Sequence, residues 1–247
     1  MNIPTLSEAV CGLLTILSHG AGAGSTLQCQ ANAGRRIGAP TELPLPTRHK
    51  GRVEWIPSAL LTALEQDSAP WSASLALQYR GRVSQLCVLA AVFPFVRSYF
   101  NPKDPARSTG KRWLWPEDEI TAAQLRASTF LLPTQIIDGR CNVTVLWGLE
   151  TPLDLRSDGA RAIDLLQRLA TATGAVVPAD DVDLASLSIP IPGFGIAGHP
   201  VDANRVRCTL LNAGHAYSLE AIDAALRALS TATPAPARRA RKQEQAR

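Results

Sequence analysis

The chain has 247 residues, 46% of them hydrophobic and 19% charged, which is enough apolar mass for one substantial core or two small ones. Its net charge is +4, and residues 237–247 alone carry five Arg or Lys against one Glu. The rest of the chain is nearly neutral, which excludes a surface that is basic all round.

The first apolar run, 9–17, and the longest one, 86–96, both fall short of the ~20 residues that a membrane-spanning helix needs, so no span is expected. The first run could imitate a signal peptide, but Glu8 is acidic and no positive segment precedes it. It reads as a helix with Ser7 as N-cap and Gly20 as its stop. The Gly/Ala-rich stretch 19–40 contains GAGAGS (20–25) but lacks the Lys-Ser/Thr ending of a phosphate loop, and is expected to be an irregular connection. Residues 41–53 are extended by their prolines.

A short helix over 57–66 follows, with Leu60, Leu61 and Leu64 on one side. The passage 71–96 alternates and then turns continuously apolar, as strands do that turn at Arg80-Gly81 and are then buried on both faces. The long loop 100–119 interleaves five basic groups with Trp113 and Trp115. Such a loop suits either solvent or a nucleic-acid strand. A short helix is expected at 121–128, then a hairpin over 136–155, and an amphipathic helix over 157–174 with Ile163, Leu166, Leu169 and Ala170 on one face and Gly174 at its end. Beyond lie an acidic turn (179–186), a Pro/Gly-rich passage (187–200), a strand (204–212), and a last helix capped by Ser218. The tail is basic and expected to be disordered. The order predicts an α+β fold with a mainly antiparallel central sheet and flanking helices.

Cysteines 11, 29, 87, 141 and 208 show no metal-ligand spacing, and are expected as free buried thiols of a cytoplasmic protein. Histidines 19, 49, 199 and 215 are expected at the surface.

Three passages carry a family resemblance. In LLPTQIIDGRCNVTVLWGLETPLDL (131–155), a Pro enters a strand, a turn follows, and a second strand reaches Trp147 with a Pro-Leu beyond. DVDLASLSIPIPGFGIAGHP (181–200) and RVRCTLLNAGHAYSLEAIDAAL (205–226) follow in the same order. Over 50–230 this resembles the archaeo-eukaryotic primase superfamily, in particular the primase-polymerase domains of phages, plasmids and other mobile elements. The resemblance implies an RRM-like core at 50–230, preceded by an N-terminal helix and connection (1–49) and followed by the basic tail (231–247).

It also implies where chemistry would sit. Nucleotidyl transfer of this kind uses carboxylates to hold two divalent metals, with a histidine and basic groups on the triphosphate. The paired acids belong in FVRSYFNP (95–102), where Tyr99 and Asn101 stand instead, and those two groups cannot jointly hold two magnesium ions. The histidine position is Thr144. Asp183 remains, within an acidic cluster that also suits a solvated turn, while Pro190 stands for an arginine and Ile196 and Ala197 for small polar residues. Asp104, Glu117, Asp118, Glu119 and Asp138 could rebuild a site only as charged loop residues do, against solvation.

The expectation is therefore a primase-like protein with a degenerate active site, which binds nucleic acid, DNA in preference to RNA, in the replication of a mobile element. No cofactor is expected, magnesium or manganese entering only if the chain is an active primase-polymerase with a rearranged metal site. A third reading is a structural or assembly protein. Partners would include a replication helicase or an active polymerase, and no membrane. Binding would use Arg80, Arg82, Arg97, Lys103, Arg107, Lys111, Arg112 and Arg140, with Arg238, Arg239, Arg241 and Lys242 adding a salt-sensitive term.

Overall fold

A computed structural model describes residues 5–33, 36–37, 40–65, 71–94, 130–139, 142–184, 186–194, 206–212 and 215–232. The first helix, α1 (Leu6–Leu17), is buried at every position from Ala9 to Leu17, as expected for a helix that is apolar all round. Its cap is Thr5 rather than the expected Ser7. The Thr5 hydroxyl accepts from Glu8 N at 3.3 Å, and the Glu8 carboxylate accepts from Thr5 N at 2.7 Å. The Thr-x-x-Glu spacing satisfies two helix-end donors reciprocally, which Ser7 cannot do. The helix ends at Ser18, and Gly20 (φ +66°) turns the chain just beyond.

The Gly/Ala-rich stretch expected as a connection is instead largely strand. Residues Ser25–Ala33 form β1, Arg36–Ile37 form β2 and Thr41–Pro44 form β3. The strands β4 (Trp71–Ser74) and β5 (Ala76–Tyr79) are one line of chain interrupted at Leu75. β1 pairs with both of them along one edge and with β2 and β3 along its other edge. On the far side of that line the partners differ. β5 pairs with β6 (Arg82–Pro94), while β4 pairs with β9 (Ser188–Pro190), a three-residue strand inside the passage expected to be a Pro/Gly-rich loop.

The centre of the sheet is the antiparallel pair of β6 with β8 (Asn142–Asp154), each of 13 residues. β7 (Gln135–Asp138) pairs with β8 in the expected hairpin, and β10 (Arg207–Leu211) pairs with β7. The short β11 (Ala216–Tyr217) continues beside β8 in parallel, and all other pairings are antiparallel.

Two more helices complete the layer. Together with α2 (Ser58–Glu65) they flank the sheet. The helix α3 (Leu155–Thr173) begins at Asp154, whose carboxylate accepts from Arg156 N at 2.9 Å, and ends at Gly174 in the left-handed conformation, φ +73°. Its buried face is Ala162, Leu165, Leu166, Leu169, Ala170 and Thr173, packed on β6 and β8. The last helix, α4 (Leu219–Ala232), is joined to it by Arg168, which meets Asp223 at 2.9 Å and Asp164 at 3.3 Å. One apolar core runs through α1, the sheet and α3. No helix among the described residues is long and apolar enough to cross a membrane.

Candidate functional site

Thr144 lies in the middle of the sheet, directly opposite Val92 of β6 and Ile137 of β7. It is 1% exposed, and its hydroxyl has no hydrogen-bond partner. Val92 also lines a cavity of about 240 Å³ whose other walls include Leu75, Ala90, Leu166, Val176, Leu187 and Ile189. The cavity follows from the strand exchange at Leu75. β6 pairs with β5 only as far as Leu86, and β4 turns to β9 instead, so the sheet opens between β6 and β9. A wall of this kind can take an apolar group. It offers nothing to neutralise a triphosphate.

Trp147, two turns of pleat further along β8 from Val143, is fully buried. Its indole N–H donates to Leu131 O at 3.0 Å, and its ring meets Phe130 edge-on at 5.4 Å. The Trp147 position thus serves the core. Nearby, the Thr134 hydroxyl donates to His215 O and accepts from Gly148 N, both at 2.9 Å, which ties β11 to β8.

Asp183 is exposed in the turn after α3, where its backbone carbonyl accepts from Ser186 N at 2.8 Å and from the Ser186 hydroxyl at 2.7 Å. Gln167 of α3 holds the start of the same turn, donating to Asp180 at 2.8 Å and to Pro178 O at 3.1 Å. The acidic cluster is a turn built by its own backbone. Asp138, by contrast, is 2% exposed at the end of β7, across from Arg207 and Val143. Among the described residues no three His, Cys, Asp or Glu side chains gather as a metal site would need. They do not fit the metal pair that the family resemblance implies.

The described arginines of the expected interface, Arg80 and Arg82, are both exposed at the β5–β6 turn. Arg80 and Gly81 both have positive φ, +51° and +69°, as a two-residue hairpin turn requires. The Arg80 guanidinium lies 5.2 Å from the centre of the Tyr79 ring, a cation–π distance. Tyr99, Asn101, Arg97, Lys103, Arg107, Lys111, Arg112, Arg140 and the tail cations Arg238, Arg239, Arg241 and Lys242 lie outside the described residues. So do the loop 100–119, the expected helix 121–128 and the acids at 104 and 117–119.

Of the histidines, His215 is exposed and its ring meets the Tyr217 hydroxyl at 2.9 Å, while His49 is exposed beside Glu54 at 3.0 Å. Four cysteines, 11, 29, 87 and 208, are free and buried. What sequence reading missed is the involvement of 20–25 and of Arg156, which fold together at the far end of β6. Arg156 sits just inside an N-cap, a position that carries no mark of binding in the sequence.

No protein-family model matches the chain, and no curated protein matches it. Solved structures do. The archaeo-eukaryotic primase domain of the cyanophage S-2L primase-polymerase superposes with a TM-score of 0.54 at 13% identity, over 89% of this chain and 97% of that one. The catalytic domain of the primase RepB′, solved in complex with initiator DNA, gives a TM-score of 0.47 at 7% identity, over 91% and 95% of the two chains.

Proposed function

We propose, for a chain that has the fold of an archaeo-eukaryotic primase-polymerase domain, that it binds nucleic acid in the replication of a mobile element and no longer transfers nucleotides. The observation that carries this reading is the surroundings of Thr144. The residue at the histidine position is uncharged and sealed from solvent, and its neighbour Val92 faces an apolar cavity. Nucleotidyl transfer needs fixed charge where the migrating phosphate develops its own, and a dry hydroxyl beside a row of aliphatic groups supplies none.

The binding role rests on exposed arginines, of which Arg80 and Arg82 stand at one edge of the sheet. DNA is the preferred strand in this reading, and a helicase or an active polymerase is the partner that would do the chemistry. The name of the cyanophage relative favours a replication setting. Fluorescence anisotropy with labelled single-stranded and duplex oligonucleotides tests it. Binding at low salt that weakens steeply towards moderate salt is expected, and no binding even at low salt would remove the proposal. Template, labelled nucleotides and magnesium or manganese form the second test. A template-dependent product that disappears in Asp183→Asn would restore the enzyme.

A further inference from the structure

A second cavity lies at the end of β6 remote from Thr144. It encloses about 290 Å³, and its lining includes Gly22, Ser25, Tyr79, Gln85, Asp154 and Arg156. Along β6 the distance from Arg82 to Pro94 is about 40 Å at ~3.3 Å per residue. This cavity is therefore separate from the place where the primase-type reaction would sit.

Its floor is set by register. Ser25 of β1 is directly opposite Tyr79 of β5, and Tyr79 is directly opposite Arg82 of β6. Residues opposite one another project from the same face of a sheet, so Arg82 stands beside Tyr79 on the face that Tyr79 lends to the cavity. Arg80 folds back over the Tyr79 ring. Arg156 enters from the first turn of α3. Among the described residues none of Arg80, Arg82 and Arg156 has an ion-pair partner, and all three are exposed.

The remaining polar groups are already arranged. The Asp154 carboxylate is occupied as the cap of α3, accepting from Arg156 N. Gln85 Oε1 accepts from Gly22 N at 3.1 Å and from the Ser25 hydroxyl at 3.5 Å, which fixes the Gly-rich turn. That turn is consequently no phosphate loop, since Gly22 N–H is spent on Gln85. It leaves the Gln85 amide N–H₂ as a donor lining the cavity.

Three unpaired guanidinium groups and an amide donor around one small polar cavity match a phosphate flanked by sugar. We propose that this cavity holds a phosphodiester unit of a nucleic-acid strand, gripped by Arg80, Arg82 and Arg156. The inference rests on the nucleic-acid-binding reading above and assigns it a place. The volume lies just below the range of small-molecule sites, so a single nucleotide unit fits and a duplex groove does not. Guanidinium forks pair with phosphate oxygens in two-point contacts, and one strand tracking such contacts is the usual mode of single-strand binding.

The test uses the full chain and a labelled single-stranded oligonucleotide at low salt. The triple variant Arg80→Gln/Arg82→Gln/Arg156→Gln is compared with a control of equal charge loss, Arg52→Gln/Arg207→Gln/Arg227→Gln. Circular dichroism checks that both remain folded. The triple variant is expected to bind at least about tenfold more weakly, with the slope of log K against log salt reduced by about 2, at ~0.7 per single-strand phosphate contact. The control is expected to change by less than about twofold. Equal weakening in the two variants would reduce the effect to net charge and overturn the site. If the wild type binds and the triple variant binds equally well, the site falls while the nucleic-acid reading stands. A wild type that binds no oligonucleotide ends both. Competition with a free mononucleotide separates the two sources of phosphate, since displacement by it at micromolar concentration would make the cavity a nucleotide site and not a strand site.

Discussion

A hydroxyl buried without a partner costs about 1–3 kcal/mol, and Thr144 carries one between Val92 and Ile137. Valine has nearly the same shape and no oxygen. Thr144→Val is therefore expected to raise stability by about 1 kcal/mol, read as a higher urea midpoint with an unchanged slope; a fall of that size would mean that the hydroxyl is used. Arg80 poses the opposite case. Its φ of +51° suits Gly or Asn better than Arg, so Arg80→Asn is expected to stabilise the chain by about 0.5 kcal/mol while weakening its hold on an oligonucleotide. Thr144 was legible in the sequence because it sits in a strand whose alternation is unmistakable. The cap at Thr5 was not, because Ser7 has the same chemistry and only the reciprocal bond from Glu8 decides between them.

At the scale of elements, strong periodicity translated directly. The strands turning at Arg80-Gly81, the hairpin of β7 with β8, and α3 with its Gly174 ending all lie where the apolar spacing puts them. Gly174 is the residue that makes the α3 ending possible, with φ +73°. Gly174→Ala is expected to cost about 1 kcal/mol, measurable as a lower melting temperature. The strands that escaped notice are weak for stated reasons. In β1, STLQCQANA, only Leu27 and Cys29 supply buried apolar weight, and the glycines before it read as a loop. In β9 the strand is three residues long and ends in proline, so it exists only because β4 offers an edge. Tertiary pairing created both, and no local pattern announces it.

Across the whole molecule, the core encloses thiols that have no route to water. Burial pushes the Cys29 and Cys87 thiols up to about 12. An unfolded thiol loses its proton near pH ~8.5, so between that pH and about 12 the unfolded chain binds fewer protons than the folded one. Stability should be flat below about pH 8 and then fall by ~1.4 kcal/mol per pH unit for each thiol as the pH rises. Urea midpoints at pH 8, 9 and 10 check this, and the fall should be shallower in Cys29→Ala/Cys87→Ala; equal falls would exonerate the thiols. The placement of β1 has a consequence in time. Its partners β4 and β5 lie beyond Trp71, and at ~5–20 residues per second the ribosome takes on the order of 2–10 s to reach them from Ser25. Only β2 and β3 are at hand meanwhile, so the nascent strand waits with one edge bare. The same bare edge reappears on β4 and β5 if the chain is shortened through Ala33, and such a protein is expected to leave a sizing column as aggregate.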